Sequence, residues 1–153
     1  FGQEVGADAA EGHEGRTSIF SWCDPEPLRN LYKFIHCEDK DALGAHRMQI
    51  MERYRSLLAL ASDPVAAEGE TFDPCYCQAA EDGFDADRHF AFLRHDRASS
   101  RTVLILCNFS PASACVRVRI PQHAFDFLCL DKEKTGTEYI VHVPAFDATV
   151  VRI

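Results

Sequence analysis

Long hydrophobic runs are missing from this chain: none approaches the roughly 18 residues that a membrane-spanning helix needs. No secretory leader is visible and the first residue is Phe1 rather than Met, so a processed or partial product is expected. Basic stripes are missing as well. Lys and Arg number 16 against 24 Asp and Glu, giving a formal net charge of -8, and the acids are spread along the chain. Such a surface repels nucleic-acid phosphates and anionic lipid, so neither is expected as a partner. Neutral ligands, sugars among them, remain open.

Paired Cys-x-x-Cys knuckles and Cys/His sets at zinc spacing are absent, so no metal or other cofactor is expected. Seven cysteines are nevertheless present, an odd number. Cys75-Tyr76-Cys77 forms a C-x-C pair whose thiols would share one side of a strand. Buried free thiols are the first expectation, with a disulfide or a metal site as the alternative.

What is present divides unevenly. Phe1 to about Glu38 reads as a long acidic loop with short helical pieces, punctuated by Gly2, Gly6, Gly12 and Gly15. Asp41 to Ala61 reads as a helix, with Ile50, Tyr54, Leu57 and Ala61 at the helical interval and Met51 and Leu58 widening the stripe. Asp39 or Asp41 would cap its start and Asp63-Pro64 end it. That stripe needs a partner surface, and left uncovered it offers a face for dimerisation.

Beyond Gly69 the period changes to two. Strands are expected over Arg88–His95, Thr102–Phe109, Ala114–Ile120, Ala124–Leu130, Thr137–Val143 and Phe146–Ile153, with a shorter one over Thr71–Gln78. Val116, Val118 and Ile120 alternate with Arg117 and Arg119, which gives one buried and one wet face. Val103 to Leu106 is apolar on both faces and belongs in the middle of a sheet. The fold class expected is therefore mainly β: an antiparallel sandwich over residues 65–153, preceded by a loop and a long helix over residues 1–64.

Several runs resemble glycoside hydrolase family thirteen, the α-amylase family. Phe1-Gly2-Gln3-Glu4-Val5-Gly6 is similar to the end of that family's eighth barrel strand. Glu14-Gly15-Arg16-Thr17-Ser18-Ile19-Phe20-Ser21-Trp22 is similar to the loop after it, with Ser21 where several bacterial members have Asp. Tyr54-Arg55-Ser56-Leu57-Leu58 resembles the last barrel helix, and Ala66 to Glu70 the exit into the C-terminal β domain. His89 to Arg94, Val103 to Ser110 and Val143 to Phe146 follow that domain's rhythm.

The resemblance implies a truncated (β/α)8 barrel over residues 1–64 and an amylase-type C-terminal domain over 65–153, in a parent enzyme acting on α-glucans. Catalysis in such enzymes needs two carboxylates from earlier strands, and the Asn-His-Asp signature upstream of the last strand is absent here. The chain alone is expected to be inactive, with no catalytic residue of its own. Arg16, Trp22 and Glu14 are the candidates for the loop that meets substrate: Arg16 for a carboxylate or sugar hydroxyl, Trp22 for stacking on a sugar face. The plainer readings are a surface pair of Arg16 with Glu11 or Glu14, a core anchor for Trp22, and a structural role for Glu4. Phe125 and Phe127 read as a core stripe, the histidines as solvated or core residues, and Asn108-Phe109-Ser110 as a coincidental N-glycosylation pattern. The alternative function is a stand-alone carbohydrate-binding or interaction module, which would show an exposed aromatic pair.

Overall fold

A computed structural model describes residues 2–7 and 25–153. The chain divides into two compact units, Phe1–Leu60 and Ala61–Ile153.

The described part of the first unit is helical. Gly2 (φ 83) and Gly6 (φ 65) bracket a 3-10 turn over Gln3–Val5. Their left-handed backbone suits glycine, and a Cβ on Gly6 would come within 2.9 Å of Ile50. Helix α1 (Glu26–His36) follows Pro25, with Pro27 in its first turn, where a missing N–H costs nothing. Sequence reading gives this stretch as a long loop with short helical pieces and does not place this helix, because Leu28, Leu31 and Phe34 form too short a periodic run to stand out. Those three residues pack with Met48 against buried Val5, Leu43 and Met51. The Arg47–Glu26 ion pair, at 2.7 Å, ties α1 to helix α2 (Gly44–Ala61).

The second helix starts at Gly44, three residues later than expected, because residues 40–43 form a turn in which the Gly44 N–H bonds the Asp41 carbonyl. Its expected stripe is covered only in the first half. Met51 is buried, Ile50 and Tyr54 are half-buried, and Leu57 and Leu58 are 44% and 64% exposed.

The second unit begins with α3 (Pro64–Ala67), capped by the Asp63 carboxylate, which accepts from the Val65 N–H at 3.1 Å. Six strands follow: β1 (Glu70–Phe72), β2 (His89–Asp96), β3 (Arg101–Asn108), β4 (Ala114–Arg119), β5 (Glu138–Val143) and β6 (Asp147–Arg152). They make two antiparallel sheets, one ordered β1-β2-β3-β6 and one of β4 and β5. As expected, β3 lies inside the larger sheet, with Leu104 opposite Leu93 on one side and Val151 on the other.

One core joins the two sheets: Ala91, Leu93, Leu104 and Leu106 from the larger, Val116, Val118, Val141 and Val143 from the smaller. Each fully buried leucine contributes about 1.5–3 kcal/mol by leaving water. On the other face of the larger sheet, Val65 of α3 covers Val103 and Ile105. Asp96 closes the β2–β3 turn by accepting from Ala98 N–H (3.0 Å), Ser99 N–H (3.3 Å) and the Ser99 hydroxyl, which sets the register.

Two expected strands are corrected. The run Ala124–Leu130 is not a strand: Gln122–Leu128 forms helix α4. Its buried residues are Ala124, Phe125 and Leu128, a helical set, while Phe127 is 56% exposed, so the core stripe proposed for Phe125 and Phe127 is half wrong. Cys129, at φ 55, stops the helix by donating its N–H to the Phe125 carbonyl. The lead-in strand stops at Phe72, because Asp73-Pro74 turns the chain into a 3-10 turn over Cys75–Cys77.

Candidate functional site

The stretch from Phe72 to Gln78 sits between the two sheets' partners and shows how side chains there stand in for strand bonds. The Cys75 thiol donates to the Ala91 carbonyl and accepts from the Ala91 N–H, both at 3.2 Å, where β1 no longer reaches β2. The Gln78 amide donates to the Arg119 carbonyl at 2.8 Å and accepts the Arg119 N–H at 2.9 Å, extending β4 in the same way. Cys77 points elsewhere, to the Pro74 carbonyl at 3.1 Å. The two thiols therefore do not share a strand face.

Fastening this stretch at both ends sets Phe72 and Tyr76 beside α4. The Phe72 and Phe127 rings lie 6.0 Å apart, centre to centre, and the Tyr76 and His123 rings 6.5 Å apart. His123 and Phe127 are four residues apart on α4, so the two ring pairs lie side by side, one helical turn (about 6 Å) apart. Tyr76 is 64% exposed, and its hydroxyl shares a 3.2 Å hydrogen bond with His123 Nδ1. At the other end Arg97 donates to Glu70 at 2.7 Å and to the Phe127 carbonyl at 3.1 Å. That bond to Arg97 holds the Glu70 carboxyl below its usual range, and the same contact raises Arg97 further above its own. The result is an apolar platform with polar groups along its edges.

Other groups have their chemistry already occupied. A cavity of ≈ 350 Å³ is lined by Glu81, Asp82, Gly83, Cys115, Arg117 and Ile140. Its nearly buried Asp82 carboxylate is ion-paired with Arg119 (2.6 Å) and Arg117 (3.9 Å). A second cavity, of ≈ 390 Å³, opens beside Gly6, Leu43, His46 and Ile50 in the first unit. Asp63 pairs with Arg101 at 2.6 Å, which lowers its carboxyl.

The six described cysteines are free thiols. Cys37, Cys115 and Cys129 are exposed rather than buried as expected, since they sit at a helix end, on the wet face of β4 and at the α4 stop. Burial pushes the Cys75 thiol up to about 11 and raises Cys77 and Cys107, so these three hold little nucleophilic thiolate. Among the described residues no group of three His, Cys, Asp or Glu side chains could hold a metal, and no helix is long and apolar enough to cross a membrane.

Glu14, Arg16 and Trp22 lie outside the described residues, as does His13. Glu4 is half-buried in the 3-10 turn. His89 and His95 are buried and satisfied, the first accepting the Asp85 N–H at 3.0 Å and the second bonded to Thr102 at 2.9 Å. Asn108 is 1% exposed and fully engaged, donating to Ala112 (2.8 Å) and Pro144 (2.9 Å) carbonyls while accepting the Ser110 N–H (2.9 Å). Folded, it offers no acceptor for a glycan. Sequence reading missed the platform of Tyr76, His123 and Phe127; its one linear signal is the spacing of four that recurs in Phe72/Tyr76 and His123/Phe127. No protein-family model matches the chain, and no curated protein matches it either.

Proposed function

We propose that this chain is the C-terminal portion of an enzyme of the α-amylase type acting on α-glucans, made of the end of a (β/α)8 barrel and the β domain that follows it. The observation that carries the reading is how differently the described apolar residues of the two units are covered. The β unit closes a core from both of its sheets, whereas α2 leaves Leu57 and Leu58 exposed on a helix that resembles the family's last barrel helix. A barrel's outer helix buries such residues against neighbouring strands and helices. The glycine-bracketed turn at Gln3–Val5 also suits a chain leaving a strand end for a substrate-facing loop. In this reading the β unit stabilises the barrel, the 8–24 segment supplies Arg16 and Trp22 to substrate, and the catalytic carboxylates lie on earlier strands.

The test is the coding sequence upstream of the Phe1 codon, together with an assay on amylose. An open frame running through an Asn-His-Asp motif, with hydrolysis by the longer product and none by residues 1–153, is the expected result. A stop codon just upstream of Phe1 overturns it. The second reading, a stand-alone carbohydrate-binding module, is favoured by one observation: the β unit does expose paired aromatic rings.

A further inference from the structure

We infer that the uncovered face of the larger sheet in the second unit is a contact surface for a second copy of this chain, the two packed face to face and turned end for end. The inference concerns the β unit alone and does not rest on the enzyme reading. Side chains that alternate with the core residues of β2, β3 and β6 make up this face. The register sets them in rows: Phe90 beside Cys107 and Ala148, then Phe92 beside Ile105 and Val150. The Phe90 and Phe92 rings lie 5.6 Å apart along β2. At one end of the rows, Phe109 and Phe146 come next outward from the paired Asn108 and Asp147. At the other end Arg94 and Arg152 flank Val103, and there Val65 of α3 covers Val103 and Ile105.

The open apolar surface is large enough to require a cover. Phe90, Phe109 and Phe146 are 43%, 65% and 71% exposed, which at about 200 Å² a ring leaves roughly 350 Å² open. Val150, more than a third exposed, adds to it. Apolar patches beyond a few hundred Å² mark interaction sites. Phe146 also holds its ring out at φ 48, left-handed backbone that strains a bulky residue and that glycine adopts freely. A standard dimer covers about 800 Å² on each partner, so this patch with its polar rim supports a weak, reversible pair.

Charge identifies the partner. Asp85 and Asp87 lie just before β2, at the end of the face that carries Phe109, whose N–H bonds the Arg88 carbonyl at 2.8 Å. Arg94 and Arg152 lie at the opposite end, about 20 Å along the strands. Asp87 and Arg152 are exposed and stand apart from the ion pairs Arg88–Asp85 and Arg101–Asp63. An acidic surface suits only the arginine end, and a basic one only the aspartate end. A second copy turned end for end satisfies both at once, with the arginines of each over the carboxylates and phenyl rings of the other.

The test is sedimentation equilibrium of the 153-residue chain over a wide concentration range. The expected result is a monomer–dimer equilibrium with Kd on the order of 10–100 µM. Phe109→Ala and Phe146→Gly should each weaken it about tenfold, whereas Tyr76→Ala, which removes an exposed ring beside α4, leaves it unchanged. In Phe146→Gly the urea midpoint of dilute protein should hold or rise, which separates a lost contact from a damaged fold. Asp87→Lys and Arg152→Glu should each weaken the pair about threefold, and the double variant, which reverses both ends, should restore it. Asp87→Lys brings the negative net charge nearer zero, so general repulsion between chains predicts the opposite sign for it. A double variant that stays weak overturns the end-for-end arrangement. A chain that remains monomeric up to about 1 mM overturns the inference as a whole. So does association that survives Phe109→Ala/Phe146→Gly with the fold intact by circular dichroism, or that is lost instead in Leu57→Gln/Leu58→Gln, which would place the contact on α2.

Discussion

Three side chains complete backbone ladders that the strands leave open: Cys75 for Ala91, Gln78 for Arg119 and Asn108 for the turns that follow β3. A buried backbone group without a partner costs about 1–3 kcal/mol. Cys75→Ala removes both bonds to Ala91 and should destabilise the β unit by about that amount in urea titration, while Cys115→Ala on the wet face stays within about 0.5 kcal/mol. Cys75 also gives the fold an alkaline limit. Its pKa rises on folding from 9.0 to about 11, chiefly through burial. Below pH 9 both states hold the proton and the contribution is complete. Between about 9 and 11 the unfolded thiol ionises while the folded one does not, so stability falls as pH rises. Denaturation midpoints at pH 8, 9, 10 and 11 should show this decline, and it should be smaller in Cys75→Ala, where other titrating groups remain.

Among the elements, α4 is the one whose phase matters most, because its outer side carries two of the platform's rings. Phe125→Ala should cost about 3–5 kcal/mol and Phe127→Ala about 1 kcal/mol or less, since only the first ring is in the core. A strand over the same residues would bury both and give two similar losses. The long strands were legible in the sequence because a sheet with one wet face imposes strict alternation, as in Val116-Arg117-Val118-Arg119. Helix α4 was not, because Phe125-Asp126-Phe127 satisfies period two over three residues while Ala124, Phe125 and Leu128 satisfy the helical period over five. Pro121 just ahead of it is the better clue, since a proline has no N–H for a strand ladder and here it is the extended N-cap residue from which the helix starts. The ring platform was illegible for a related reason: it is assembled from two segments about fifty residues apart, and neither is aromatic enough alone to attract notice.

For the molecule as a whole, the described residues of the two units differ in how much core supports them. The helical unit relies on Val5, Leu43 and Met51 with their partly buried neighbours, the β unit on a core drawn from both sheets, Phe84 and α4. Small cores give marginal stability. Two unfolding transitions are expected by calorimetry, with the helical unit opening first. Met51→Ala, removing a buried side chain, should weaken the first by about 2–5 kcal/mol and leave the second in place. In hydrogen exchange the α2 amides would lose protection while β3 keeps its own. A single transition shifted as one by Met51→Ala would show instead that the units unfold together.

The engaged amide of Asn108 has a consequence for making this protein, set by timing rather than by the finished fold. Its second carbonyl partner, Pro144, follows 36 residues later in the chain. At about 5–20 residues per second, a ribosome leaves the Asn108-Phe109-Ser110 pattern open for roughly 2–7 seconds before that partner emerges. A cell that attaches glycans to nascent chains has that interval in which to modify Asn108, and a sugar placed there fills the space that two turns must close over. Produced through such a secretory route, the chain should split into an unmodified soluble fraction and a glycosylated, misfolded one, and treatment with an amidase that strips N-glycans should shift the gel mobility of the second alone.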